Sequence, residues 1–332
     1  MPAPPESPPM PPLTARAFWV TGPEQADIRE QPLPLHSGDE LLVRALCSGI
    51  SRGTEVLVYR NRVPVSEYAR MRCPFQEGAF PAPVKYGYAW VGAVQEGPER
   101  LRGTTVFVLH PHQDWAVVPA AAALPVPGAV PPSRAILAAN METALNTLWD
   151  GQVQAGDRVC VLGAGVVGLM LAHLASRIPA VRCLIVDPDA GKEAAAAGLG
   201  LTFCTAPPAD LFDVVFHASG NPAGLATALA LADFEATVIE ASWYGVTPVT
   251  LPLGEGFHAK RLTLRSSQVG AVSPRQRARL SHRQRLEMAL ALLADDRLDG
   301  LITGESAFAE LPQVMARLAD GSLPALCHRI RY

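Results

Sequence analysis

The segment Val159–Asp187 constrains the fold of this chain most strongly. An apolar run leads into the turn Gly163-x-Gly165-x-x-Gly168, a helical segment follows, and a second apolar run ends at Asp187. A strand, a glycine turn, a helix, a strand and an acid in this order are typical of a βαβ unit that binds a dinucleotide. The free N–H groups at the start of the helix would face the pyrophosphate.

Each glycine of this turn has a separate expected role. Gly163 permits the tight turn, Gly165 lets the backbone approach the pyrophosphate, and Gly168 lets the helix pack closely on the strand. The carboxylate of Asp187 would accept hydrogen bonds from the adenosine ribose and repel a ribose phosphate, so NAD(H) is favoured over NADP(H). The turn alone leaves open a vacant βαβ unit, or one that binds a flavin or another adenine nucleotide.

Length, composition and net charge limit the classes of function that this sequence can have. The 332 residues suffice for two domains, and 49% hydrophobic residues with 18% charged residues indicate a compact protein with a large core. A net charge of −3 gives no electrostatic case for nucleic acid or an acidic membrane, and no apolar run has the length of a membrane span. We therefore expect a small-molecule partner.

The cysteines and the N-terminal residues indicate the cellular compartment in which the protein is expected. The six cysteines are scattered and contain no Cys-x-x-Cys pair, which fits a reducing cytoplasm. Residues 1–12 (MPAPPESPPMPP) lack the apolar core of a signal peptide and indicate a disordered, extended tail. A cytoplasmic protein is the expectation.

Two patterns follow each other along the chain. From Ala15 to about Leu124 it is β-rich, and from about Pro132 strands and helices alternate, which predicts an α/β protein with a doubly wound parallel sheet. Ser133 is a candidate helix cap. The predicted strands are 15–20, 40–46, 90–95, 104–109, 159–162, 183–186, 214–217, 237–241 and 326–332. The predicted helices are 133–138, 142–150, 167–177, 191–199, 224–232, 284–293 and 311–318.

Laid out this way, the chain resembles the medium-chain dehydrogenase/reductase superfamily, which includes the zinc alcohol dehydrogenases and quinone reductases. The residues that carry the resemblance are Gly49-Ile50-Ser51-Arg52, Tyr86-Gly87-Tyr88-Ala89, Gly156-Asp157-Arg158-Val159, the glycine turn with Asp187 and Lys192, and Asp299–Ile302 with Phe308 and Leu311. The resemblance implies a GroES-like β-rich catalytic domain over 13–140, completed by 270–332, and a Rossmann domain over 141–269. It also implies an active site in the cleft between them and a homodimer joined through the Rossmann sheets.

The departures from the family pattern concern the catalytic zinc. In the zinc enzymes a Cys, a His and a second Cys or acid hold the metal. Here these positions fall at Ser51, Tyr88 and near Ala139, and the four-cysteine structural lobe is missing. Hydroxyl and methyl groups do not replace thiolate and imidazole, so we expect no zinc. An unusual metal site built from His110, His112 and Glu142 stays open as an alternative.

Without a metal, a hydrogen-bond donor must stabilise the substrate oxygen. Tyr88 and Ser51 occupy the lost ligand positions, and His110 follows a strand that runs, by resemblance, to the pocket wall. These three are the predicted catalytic residues, although Tyr88 filling the vacated volume and Ser51 capping its own turn are alternatives. His217, at the end of a Rossmann strand, is placed to touch the adenosine or its ribose, or to be a satisfied loop histidine.

The resemblance adds four cofactor contacts. Thr143 would lie beside the nicotinamide and Val167 behind it, Arg52 would reach the pyrophosphate, and Lys192 would flank the adenosine ribose.

Three functions are compatible with these residues. The first is an NAD(H)-dependent, zinc-independent alcohol dehydrogenase or carbonyl reductase, the second a quinone or enoyl reductase, and the third an inactive nucleotide-binding protein. The turn Ser48–Glu55 (SGISRGTE) is similar to that of the bacteriochlorophyllide dehydrogenase subgroup. The blocks Phe80–Tyr88, His110–Gln113 and Ser242–Gly245 lie outside the superfamily pattern and leave the substrate unnamed.

Overall fold

The computed structural model describes residues 14–332, so the predicted tail at 1–12 lies outside the described residues. The first third is mostly β-structure: β1 (Thr14–Gly22), β2 (Gln25–Pro32), β3 (Glu40–Ile50), α1 (Arg52–Tyr59), β4 (Glu77–Gly78), β5 (Val84–Lys85), β6 (Trp90–Glu96), β7 (Thr105–Val108), β8 (Trp115–Pro119), β9 (Leu124–Pro125) and α2 (Pro132–Ala135).

Strands and helices then alternate: α3 (Ala138–Gly151), β10 (Arg158–Leu162), α4 (Val166–Ala175), β11 (Arg182–Val186), α5 (Glu193–Gly198), β12 (Thr202–Cys204), β13 (Phe212–His217), α6 (Pro222–Leu231), β14 (Ala232–Glu240) and β15 (Thr263–Ser266). The chain closes with α7 (His282–Leu292), β16 (Ile302–Ala307), α8 (Leu311–Asp320) and β17 (Cys327–Arg331).

The middle of the chain forms a six-stranded parallel sheet in the order β12-β11-β10-β13-β14-β15. The strand order reverses between β10 and β13, and this reversal creates a crevice at the carboxyl ends of the strands where ligands bind in open α/β sheets. Val159, Cys160 and Val161 of β10 are completely buried because helices cover both faces of the sheet. The doubly wound sheet predicted from the alternating pattern is confirmed.

The β-rich part forms two sheets. β2, β1, β5 and β4 make a four-stranded sheet, and β16, β17, β3, β6, β7 and β9 make a larger one that β8 joins through β3. The C-terminal strand β17 pairs antiparallel with the end of β3, so the last residues return to the sheet formed by the first third of the chain.

One continuous apolar core joins the larger β-sheet to the parallel sheet. It runs from Val91 and Phe107 through α3 to Val161, and α7 packs on α3 from the other side. The expected domain boundary at 140/141 therefore falls inside α3. The wider division of the chain into two domains stays a prediction.

The predicted elements correspond to structural ones with shifted ends, and one local prediction is wrong. Ser133 does not cap a helix over 133–138. The short helix α2 spans Pro132–Ala135, Pro131 occupies its cap position, and no side chain caps it. Proline at the first helical position has a preset φ and lacks an N–H that would need a partner, so it starts this helix in place of a hydroxyl cap.

Candidate functional site

The glycine turn follows β10 at the crevice. Gly163 has φ +108°, and a Cβ there would lie 2.7 Å from the amide nitrogen of Ser219, so a side chain would be both strained and obstructed. A Cβ on Gly168 would lie 1.8 Å from the Gly163 carbonyl oxygen, whereas one on Gly165 would meet open space. The turn thus has the close helix–strand packing and the open approach that a pyrophosphate requires.

Asp187 follows β11 and is held by three donors. Its Oδ2 accepts hydrogen bonds from the Ala164 amide and the Lys192 ammonium, both at 2.8 Å, and its Oδ1 accepts one from the Asp189 amide at 3.0 Å. Burial alone would raise the pKa of Asp187, but these hydrogen bonds outweigh it, so the pKa lies below its usual value. The carboxylate is fixed beside the glycine turn, as a ribose site needs.

The other predicted cofactor residues lie on helices near these elements. Val167 is half-buried in the first turn of α4, next to amides that have no intrahelical acceptor. Thr143 is half-buried on α3 and donates to the Ala139 carbonyl at 3.0 Å. Arg52 is exposed at the first position of α1. Their contacts to a cofactor stay predictions.

Tyr88 and Ser51 lie together at the junction of the two cores. The half-buried Tyr88 packs against both apolar clusters, and the hydroxyls of Ser51 and Thr54 are close enough to its phenol to influence its pKa. Burial, and to a smaller degree the charge of Glu55, raise the pKa of Tyr88 well above its usual value, although the two hydroxyls oppose this. The phenol is therefore protonated at neutral pH and can donate a hydrogen bond.

The third position of this group is predicted near Ala139, and the adjacent Asn140 is the residue whose side chain contacts Ser51. The Asn140 side-chain amide donates to the Ser51 Oγ at 3.3 Å, while Ala139 is buried in the apolar core. Both residues lie in the first turn of α3, and a shift of one residue turns the side chain by about 100° around the helix. Hydroxyl, phenol and amide groups do not match the thiolate and imidazole ligands of zinc.

A buried polar chain that the sequence analysis missed lies behind Ser51. The Glu55 carboxylate accepts from the Ser51 amide at 2.7 Å and contacts His112 Nε2 at 2.9 Å. His112 Nδ1 lies 2.7 Å from the Ser48 Oγ, which lies 2.9 Å from the Tyr332 hydroxyl. Gly87 lets His112 approach, since a Cβ there would come within 2.9 Å of the imidazole.

His110 makes its contacts away from the buried polar chain formed by Glu55, His112, Ser48 and Tyr332. Its ring packs against Phe75 and Trp90, with centroids 5.3 and 5.4 Å away, and its Nδ1 donates to the Pro111 carbonyl at 2.8 Å. Burial lowers the pKa of His110 to about 3, so the ring is neutral at neutral pH. The structure assigns His112, two residues further on, to the polar chain beside Ser51.

The alternative metal site does not form. Glu142 is buried and its Oε1 pairs with Arg285 Nε at 3.0 Å, so the carboxylate is engaged in an ion pair between α3 and α7. Among residues 14–332, no group of three or more His, Cys, Asp or Glu side chains is arranged to hold a metal ion.

His217 ends β13 and its side chain is completely buried. It contacts Glu240, Ser219 and Tyr244, and the segment after Tyr244 crosses to the other part of the protein. There the Val246 amide donates to the Arg62 carbonyl at 3.1 Å. This explains the block Ser242–Gly245, which connects the parallel sheet with the segment that follows α1.

Comparisons with known proteins agree on the fold. No family model matches the chain. It is 27% identical over 205 residues to the starvation-sensing protein RspB of Escherichia coli, a match that spans 52% of this chain and 56% of that protein. The chain therefore matches little more than half the length of this curated relative.

Solved structures match over almost the whole chain. An Escherichia coli short chain alcohol dehydrogenase (rspB) in complex with NADH is 18% identical, with a TM-score of 0.77, and the match covers 97% of this chain and 100% of that one. L-Idonate 5-dehydrogenase of Escherichia coli is 16% identical, with a TM-score of 0.79 and coverage of 96% and 99%.

The protein thus has an alcohol dehydrogenase-like α/β fold, with a β-rich part and a Rossmann sheet carrying a dinucleotide-type glycine turn. This is the fold that the resemblance to medium-chain dehydrogenases/reductases predicts. No helix within residues 14–332 is long and apolar enough to span a membrane.

Proposed function

We propose that this protein is an oxidoreductase that transfers a hydride between NAD(H) and the carbon of an alcohol or carbonyl group, without zinc. The observation that carries the proposal is the combination of the glycine turn with a cluster of hydroxyl groups at positions that, by the family resemblance, correspond to metal ligands in the zinc enzymes. Tyr88 and Ser51 form this cluster where the two apolar cores meet.

The residues of the crevice fit a nicotinamide dinucleotide. When bound, the nicotinamide supplies or accepts the hydride. The glycine turn and the first-turn amides of α4 would hold the pyrophosphate, and Asp187 would accept the ribose hydroxyls. Lys192 does not make the site one for NADP(H), because its ammonium is already paired with Asp187 at 2.8 Å. A ribose phosphate would have to displace that pair, and this supports NAD(H).

Tyr88 is the proposed proton donor to the substrate oxygen. Its phenol is protonated at neutral pH, and the Ser51 and Thr54 hydroxyls beside it can return a proton after each turnover. Glu55 acts on this group through the Ser51 amide, and His112 holds the carboxylate in place. Glu55 and His112 are thus positioning residues behind the donor.

Zinc independence rests on the identity of the side chains. Ser51, Tyr88 and Asn140 present a hydroxyl, a phenol and an amide where the zinc enzymes present thiolates and imidazole. Substrate polarisation by hydrogen bonds takes the place of Lewis-acid catalysis in this proposal.

The test is turnover of NADH with a panel of ketones, quinones and enals, repeated with NADPH. We expect oxidation of NADH by one class of ketone or aldehyde. Turnover confined to quinones or enals would make the protein a reductase of the other kind. Binding of NADH without turnover of any member would point to a nucleotide-binding protein without catalysis.

We also propose a homodimer, as the family resemblance implies. The strand β15 lies at one edge of the parallel sheet, where pairing with a second copy would cover its free backbone groups. Light scattering at micromolar concentration should give twice the mass of one chain, and a monomer would contradict this proposal alone.

A further inference from the structure

Three polar side chains are connected in series at the carboxyl ends of β13 and β14. The Ser219 Oγ lies 2.6 Å from His217 Nε2, and His217 Nδ1 lies 2.8 Å from the Glu240 Oε2. This is the order of a nucleophile, a base and an orienting acid in enzymes that transfer acyl groups. His217 is completely buried, whereas Ser219 is exposed to solvent.

The neighbouring hydrogen bonds determine how the protons are arranged. The Asn221 amide donates to the Ser219 Oγ at 3.1 Å, which leaves the hydroxyl proton of Ser219 for His217 Nε2. The Glu240 carboxylate accepts from the Ser242 amide at 2.6 Å and from the Tyr244 hydroxyl at 2.8 Å. With the carboxylate fixed, Nδ1 carries the imidazole proton and Nε2 is free to act as a base.

Packing fixes the imidazole in this orientation. A Cβ on Gly224 would come within 2.5 Å of His217 Nε2. Only a glycine at this position of α6 therefore lets the helix pack against the imidazole. On the other side the ring stacks against Tyr244, with centroids 6.3 Å apart and an interplanar angle of 16°. If Ser219 served only to accept the hydrogen bond from the Asn221 amide, neither the buried imidazole of His217 nor the carboxylate of Glu240 would be required.

We propose that Ser219, His217 and Glu240 form a second reactive site, which accepts the acyl group of small activated esters. The site opens into the crevice beside the glycine turn, because Gly163 lies against the backbone of Ser219.

The reaction balances without any redox partner. The Ser219 Oγ attacks the ester carbonyl carbon while its proton passes to His217 Nε2. The tetrahedral intermediate collapses, the bond to the alcohol oxygen breaks, and His217 returns the proton to that oxygen. Water then attacks the acyl-serine through the same base, and a carboxylic acid leaves. No hydride donor or acceptor takes part in this reaction, although the ester would occupy the crevice that the dinucleotide is proposed to bind.

The experiment uses the full-length protein without dinucleotide. The protein is incubated with p-nitrophenyl acetate and, separately, with a fluorophosphonate probe. We expect release of nitrophenolate and a covalent adduct on the peptide that contains Ser219, identified by mass spectrometry. Ser219→Ala should abolish the adduct, and Glu240→Gln, which keeps the size of the side chain, should slow its formation by about 100-fold or more.

Ser242→Ala is the matched control. It removes a hydroxyl from the same cluster, 3.4 Å from Nδ1 rather than at Nε2, and should keep the adduct on Ser219. The proposal is overturned if the unmutated protein forms no adduct, if the adduct lies on another residue, or if Glu240→Gln is labelled at the full rate. Because no dinucleotide is present, these results do not depend on whether the protein transfers hydride.

Discussion

His112 Nε2 lies 2.9 Å from the Glu55 Oε2, and the two side chains are only 1% and 3% exposed. An imidazole and a carboxylate buried this deeply must satisfy each other, because neither has water to replace its partner. The pair joins α1 to the segment between β7 and β8, and the other carboxylate oxygen of Glu55 accepts a hydrogen bond from the Ser51 amide.

The first prediction concerns the stability that depends on this pair. Glu55→Ala and His112→Ala should each lower the free energy of unfolding by about 3 kcal/mol, since each leaves a buried polar partner alone. The double variant should lose less than the sum of the two, with a coupling of about 1–3 kcal/mol. Urea unfolding of the four proteins measures this, and additive losses would show that the two side chains do not interact.

The second prediction concerns the proton donor. Tyr88→Phe keeps the ring and removes the hydroxyl, so it should lower the rate of hydride transfer by ~10²-fold or more and leave NADH affinity nearly unchanged. Tyr86→Phe is the control, because Tyr86 is a buried ring packed edge-on against Tyr88 at 6.0 Å. Single-turnover rates of hydride transfer distinguish the Tyr88→Phe variant from the Tyr86→Phe control. Equal rates for Tyr88→Phe and the parent protein would show that Tyr88 only contributes packing.

The third prediction concerns cofactor choice. The parent protein should bind NADH much more tightly than NADPH, and Asp187→Ser should narrow the difference, because it removes the carboxylate and frees Lys192 for a phosphate. Asp189→Ser, at a position two residues away with a 59% exposed side chain, should leave the preference intact. Fluorescence titration with both cofactors gives the ratio of dissociation constants, and a parent protein with equal affinities would refute the role of Asp187.

The fourth prediction concerns pH. Burial lowers the pKa of His110 from 6.5 to about 3, so below pH 6.5 the unfolded chain binds a proton that the folded protein excludes. Stability should therefore fall as the pH drops from 6.5 towards 3, by ~1.4 kcal/mol per pH unit for this group. His110→Phe should flatten the dependence, while the exposed His258→Gln should not. A parent and a His110→Phe variant with the same slope would contradict this.

The sequence was sufficient where the determinants are local. The turn from Gly163 to Gly168 and the strand ending at Asp187 are defined by neighbouring residues, and the structure has the strand, turn and helix that the pattern predicts. The family resemblance was also enough to place Ser51 and Tyr88 near each other.

The features of the site that the sequence did not predict depend on contacts between segments that are distant in the chain. Glu55 and His112 are 57 positions apart in the sequence. The only sign of this pair in the sequence was the strand-like spacing of His110 and His112, and that spacing does not tell which of the two histidines lies beside Ser51. The third position could be placed only near Ala139, because a pattern does not determine which residue of α3 faces Ser51. His217 was noticed at its strand end, but its partner Glu240 comes from the next strand and has no signature of its own.

Zinc content and turnover measured on the same sample test the central claim most directly. Protein purified without added metal is analysed for zinc, treated with a strong chelator, and assayed with NADH and its best carbonyl substrate. We predict well under one zinc per chain and a turnover rate that the chelator does not change. Stoichiometric zinc, or activity that is lost with the chelator and restored by zinc, would contradict it.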